Sequence, residues 1–168
     1  MYAVRWRGSF CEALSENDDT KLQCIVEVLN RCVDGPLESV KAGALEAAAD
    51  SFDWLCYHGH IHSASESVLC TLLDRDELDL SHEYDLLETL HFWARDRPDD
   101  VDHSPAARLL CKVRFDAMSR WCLEEALEEL RFQGVAAAVF KAHVQQARCA
   151  LEDAGGAVFL RRRPEQSG

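Results

Sequence analysis

Apolar residues return at three- and four-residue steps along most of this chain, and turn residues interrupt the rhythm at intervals. The first run starts after Asp18: Leu22, Ile25, Val26, Leu29, Cys32 and Val33 fall on one helical face, and Asp34-Gly35-Pro36 ends it. Pro36 suits the opening of the next helix, where a missing N–H costs nothing. That second pattern predicts one helix over 36–58. Ser39, Gly43, Glu46, Asp50, Asp53 and Tyr57 form a narrow polar stripe on it, and Leu37, Val40, Ala44, Leu45, Ala48, Phe52, Trp54 and Leu55 fill the rest. A helix wet along one stripe only is expected at the centre of the core.

Later elements announce themselves by their ends. Gly59 is placed to close the second helix in a left-handed conformation. Ser63 and Glu66 have capping-box spacing for a third helix carrying Val68, Leu69, Leu72 and Leu73. Ser81 is read as the cap of a fourth, with Glu83 in the first turn where the helix dipole favours a negative charge. Glu83, Leu86, Leu87, Leu90, Trp93 and Ala94 share one face of it; Phe92 points the other way, toward a second layer or a contact surface. Arg97-Pro98-Asp99-Asp100 stops the run. Pro105 opens a fifth helix with Leu109, Leu110 and Val113. Ser119 opens a sixth, with Leu123, Ala126, Leu127 and Leu130, ended by Gly134. A seventh, about 135–151, has Val135, Val139, Ala142 and Cys149 facing in, with Gly155-Gly156 as its close. The pattern contains no strand alternation of useful length. It predicts an all-α fold, a compact stack of antiparallel helix pairs over 18–151, after an irregular lead-in at 1–17 and before a flexible tail at 152–168.

Charge narrows the function classes. Thirty acidic against 18 basic residues give a net charge of −12, which repels phosphate and excludes nucleic acid or an anionic membrane surface as the expected partner. No stretch approaches the ~18 consecutive apolar residues of a membrane span. The two arginines in MYAVRWRGSF interrupt what would be the apolar run of a signal peptide. Eight cysteines scattered singly along helical patterns read as small apolar residues of an intracellular protein, cytoplasmic or nuclear.

Candidate chemistry is thin. Cys56, His58, His60 and His62 are all metal-ligand types, and a metal-binding regulatory protein is the alternative they raise. The flanking pattern is helical, so only four-apart pairs would align and Gly59 interrupts them; a solvated helix end is the preferred reading. The acidic run from Asp74 to Asp85 lacks the central glycine of a calcium loop. Glu124, Glu125, Glu128 and Glu129 read as a solvated helix face. The chain shows no nucleophile motif and no glycine-rich phosphate loop. No enzymatic activity, cofactor, metal or small-molecule ligand is expected. Arg114, between Val113 and Phe115, is read as tying its loop to an acidic neighbour or to helix carbonyls, in preference to a partner contact.

The order of motifs carries one resemblance. Leu72-Leu73, the acidic turn Asp74 to Asp79, Leu80-Ser81, Glu83, Leu86-Leu87 and Trp93 are followed by Val113-Arg114-Phe115 and Ser119. This succession resembles the BACK domain, the helical module that follows a BTB domain in many adaptor proteins. The resemblance implies a non-enzymatic interaction module, a substrate adaptor or spacer of a cullin-based ubiquitin ligase. Its expected partners are a cullin or a BTB-containing protein. By order along the chain, the Leu22–Val33 helix and the one after it stand where such adaptors contact the cullin, although no recognisable BTB sequence precedes them here. The expected contact residues are Leu22, Ile25, Val26 and Leu29, on a stripe left partly uncovered, and then Phe92. An unrelated helical-repeat scaffold is the remaining alternative.

Overall fold

A computed structural model of the chain describes residues 19–32, 35, 38–75, 78, 80–95, 97 and 104–160. These residues form helices α1 (Asp19–Cys32), α2 (Glu38–Asp50), α3 (Phe52–Tyr57), α4 (Glu66–Leu73), α5 (Glu83–Arg95), α6 (Pro105–Leu110), α7 (Arg120–Glu129) and α8 (Gly134–Leu160). Two 3-10 turns, His60–Ser63 and Phe115–Ala117, complete them, and there is no strand among the described residues. The fold is all-α, as the periodicity predicts. The predicted lead-in at 1–17 lies outside the described residues, as do residues 161–168 of the predicted tail.

Helix α1 packs along α2 and against the 3-10 turn at 60–63. Those two elements bury Leu22, Ile25, Val26 and Leu29 completely or nearly so. The expectation of a partly uncovered stripe on this helix is therefore corrected: the four side chains are core. Further along, α6, α7 and the 115–117 turn pack on α8, while α5 contacts the 60–63 turn, α6 and α3. One continuous core runs through all of them, from Leu22 to Ala147.

Local chemistry explains where the elements start and stop. The single helix expected over 36–58 is broken at Ser51, whose φ of −119° and ψ of 18° leave the helical region. Asp50 and Ser51 are both weak helix formers that compete for backbone hydrogen bonds. Trp54, expected inside, is 42% exposed, beside the polar stripe four residues after Asp50. Gly59 takes the left-handed conformation predicted for it, φ 72°. The cap of α4 is Ser65, not Ser63: Ser65 accepts from the Val68 N–H at 3.3 Å, while the Ser63 hydroxyl donates to the His60 carbonyl at 2.9 Å and closes the 3-10 turn. Ser81 is likewise diverted. Its N–H and hydroxyl both donate to the Asp53 carboxylate, and α5 begins two residues later. Ser104 with Pro105, and Ser119, cap α6 and α7.

Two corrections concern α8. Its buried face is Ala136, Phe140, Val144 and Ala147, whereas Ala142 and Cys149, expected inside, are exposed and Val135 and Val139 are half-buried. The register is set by Phe140, whose ring meets Phe115 and Phe132 at centroid distances of 6.3 and 5.1 Å. The helix also continues through Gly155-Gly156 to Leu160. Two glycines cost about 1 kcal/mol each relative to alanine, too little to end a helix with no proline before Pro164.

Candidate protein-interaction surface

The motif residues assemble into a frame. Leu72, Leu87, Trp93, Val113 and Phe115 are buried in the shared core, with Leu73 and Leu80 half-buried against it. Glu83 and Arg114 join across this frame. One Glu83 carboxylate oxygen accepts from the Arg114 backbone N–H at 3.3 Å and the other from Nε. The Glu83 side chain is 8% exposed and that of Arg114 68%, so the pair sits at the rim of the core, acid inside and guanidinium outside. Arg114 thus ties its loop to an acidic neighbour on α5, in the manner read from the sequence.

A second group locks the 60–63 turn onto α5. The Trp93 indole N–H donates to the Ala64 carbonyl at 2.8 Å. Arg97 lies 4.0 Å over the same indole and donates to the carbonyls of Trp93, His62 and Ala64 at 2.6, 3.1 and 3.3 Å. From the other side, the Asn30 amide donates to the Ser63 carbonyl at 2.9 Å and accepts from the Ser65 N–H at 2.7 Å. Sequence reading treats Arg97 only as part of a stop signal and passes over Asn30. The signal for Arg97 was its position four residues after Trp93, one helical turn away. Asn30 has no local signal, because its partners lie more than 30 residues distant.

The candidate ligand set comes apart. Cys56 is buried and shares a hydrogen bond with the Thr89 hydroxyl, and burial pushes its thiol up to about 12. His58 and His60 stack on each other, while His62 meets the Phe92 ring at 5.9 Å. Among the described residues no group of three or more His, Cys, Asp or Glu is placed to hold a metal. Burial also raises the Cys70 thiol, so neither cysteine has the lowered pKa of a nucleophile. On α5, burial raises the Tyr84 phenol, with Glu125, Glu88 and Glu129 adding to the shift.

Among the described residues four large hydrophobics remain at the surface: Trp54, Tyr57 at 84% exposure, Phe92 at 39% and Trp121 at 67%. Phe92 faces away from the buried side of α5, as the pattern predicts, and lies between His62, His91 and the Arg95 guanidinium. No described helix is long and apolar enough to cross a membrane.

The frame around Glu83, Trp93 and Arg114 lies within a longer match. Residues 24–128, more than half of the chain, match the family described as BACK, BTB And C-terminal Kelch. The chain belongs to the BACK family. BACK is a non-catalytic interaction domain, found in a BTB–kelch type of adaptor setting. The match runs from within α1 to within α7, and α8 lies beyond it. No curated protein and no solved structure matches the chain.

Proposed function

We propose that this chain is a non-enzymatic protein–protein interaction module of the BTB–BACK adaptor class, a substrate adaptor or spacer in a cullin-based ubiquitin ligase. The BACK match over 24–128 carries the reading. Its physical support is a rigid helical frame with apolar rings left at the surface and cysteine thiols raised by burial, an arrangement suited to holding partners and not to bond chemistry. The partner is a BTB-containing protein or a cullin, and the compartment is intracellular. With Leu22, Ile25, Val26 and Leu29 inside, contact falls to surface groups, Phe92 first among those the sequence named.

The test mixes the purified full chain with a BTB-containing adaptor and, separately, with a cullin amino-terminal region. Gel filtration with light scattering reads the complexes. A stable complex with either, weakened by Phe92→Ala, is expected. A chain that elutes alone from both overturns the ligase setting.

A further inference from the structure

The end of α3 carries a cluster of four rings. Trp54 and His58 stack at 5.2 Å with 14° between planes, and His58 and His60 continue the stack at 6.1 Å and 16°. Tyr57 stands edge-on to both Trp54 and His58, at 6.2 and 5.1 Å. Two of these rings, Trp54 and Tyr57, are large hydrophobics left exposed.

Charge distinguishes this surface from an ordinary apolar patch. From Ala42 to Tyr57, through α2 and α3, the chain has no lysine or arginine, yet it carries Glu46, Asp50 and Asp53. Asp50 ends α2 four residues before Trp54 and is exposed; Asp53, on α3 itself, is half-buried where it binds Ser81. Aromatic faces carry negative potential and attract guanidinium and ammonium groups placed over them. An acidic partner would meet the −12 charge of the chain, and a purely apolar one would cover Asp50 without a counter-charge.

We infer that the α3 end is a docking surface for a basic segment of a protein partner, its arginine or lysine side chains stacking on Trp54 and Tyr57 with Asp50 as counter-charge. The inference rests on the reading of the chain as an interaction module and names the chemistry of what it holds. Tryptophan and tyrosine are the residues that concentrate binding energy in interfaces, and the cation supplies orientation. Added salt weakens the contact, because the ion pair is exposed.

The experiment measures binding of a synthetic arginine–glycine peptide to the full chain by calorimetry, with a glutamate–glycine peptide of equal length as comparison. Trp54→Ala and Tyr57→Ala should each raise the Kd by about fivefold or more, and Trp54→Phe should retain most of the affinity. Trp121→Ala, an exposed tryptophan on α7, should leave it unchanged. Thermal unfolding of each variant establishes that the fold persists, and Tyr57→Ala removes a ring that is almost wholly exposed. No binding of the arginine peptide, equal or tighter binding of the glutamate peptide, or losses as large in Trp121→Ala as in Trp54→Ala would each overturn the inference. A chain that fails here but still forms the complex with a BTB-containing protein or a cullin keeps its adaptor role and loses only this surface.

Discussion

Glu83 holds Arg114 at two points, through the backbone N–H and through the guanidinium Nε, across 31 residues of sequence. The carboxylate is nearly buried while its partner is exposed, so the two substitutions are unequal. Arg114→Ala leaves Glu83 with the backbone N–H alone and should cost about 1–2 kcal/mol. Glu83→Ala removes both contacts, frees the loop before the 115–117 turn, and should cost about 2–3 kcal/mol. Urea melts of the single and double variants check this. Additive losses would mean that the pair does not couple.

Trp93 has more to lose. Its ring is buried, its N–H satisfies Ala64, and Arg97 lies over its face. Trp93→Ala should cost on the order of 3–5 kcal/mol. Phe92→Ala, on the half-open side of the same helix, should cost distinctly less, about 1–2 kcal/mol, since that ring keeps much of its water contact in the folded protein. Equal losses in denaturant melts would contradict the assignment of the two faces.

The parts of the fold that depend on near neighbours were legible in the chain. Gly59, Pro105 and Ser119 act where their local chemistry places them, and the spacing of Leu86, Leu87, Leu90 and Trp93 marks the buried face of α5. Errors arise where a distant group competes for the same atom. Ser81 is turned toward Asp53, 28 residues away, and α5 begins two residues later, an arrangement with no local signal. Burial of the Leu22–Leu29 stripe belongs to this class as well. Periodicity shows that a stripe exists, but only the return of the 60–63 turn decides that it is covered. The exposure of Trp54 had a local signal that was passed over: it stands four residues after Asp50 and three before Tyr57, beside the polar stripe.

Cys56 should be the slowest thiol in the native protein. Its pKa is raised from an ordinary 9.0 to about 12, whereas Cys24, Cys111 and Cys149 are exposed. Alkylation at pH 8 followed by mass spectrometry should label those three well before Cys56. Because the folded pKa lies above the unfolded one, the contribution of the neutral thiol is complete below pH 9 and is lost as pH rises toward about 12. Added zinc should leave the melting temperature unchanged, both in the native chain and in a variant with His58, His60 and His62 replaced by alanine. A zinc-induced rise confined to the native chain would restore the metal reading.

His91 sets a second pH dependence, of opposite direction. Burial holds its imidazole below the ordinary 6.5, with the Arg95 and Arg131 charges adding to the effect and Glu88 opposing it. Its Nε2 accepts the Arg131 backbone N–H at 3.3 Å, which requires an unprotonated nitrogen there. The folded pKa is thus lower than the unfolded one. Stability is complete above about pH 6.5 and declines as pH falls from that value, because the unfolded chain takes up the proton first. Glutamine at this position offers a carbonyl to the same N–H and does not titrate. Urea melts between pH 7.5 and 5.5 should therefore show a shallower loss in His91→Gln than in the native protein, with the other histidines contributing equally to both. Parallel losses in the two would show that His91 is not the group that couples this fold to acid.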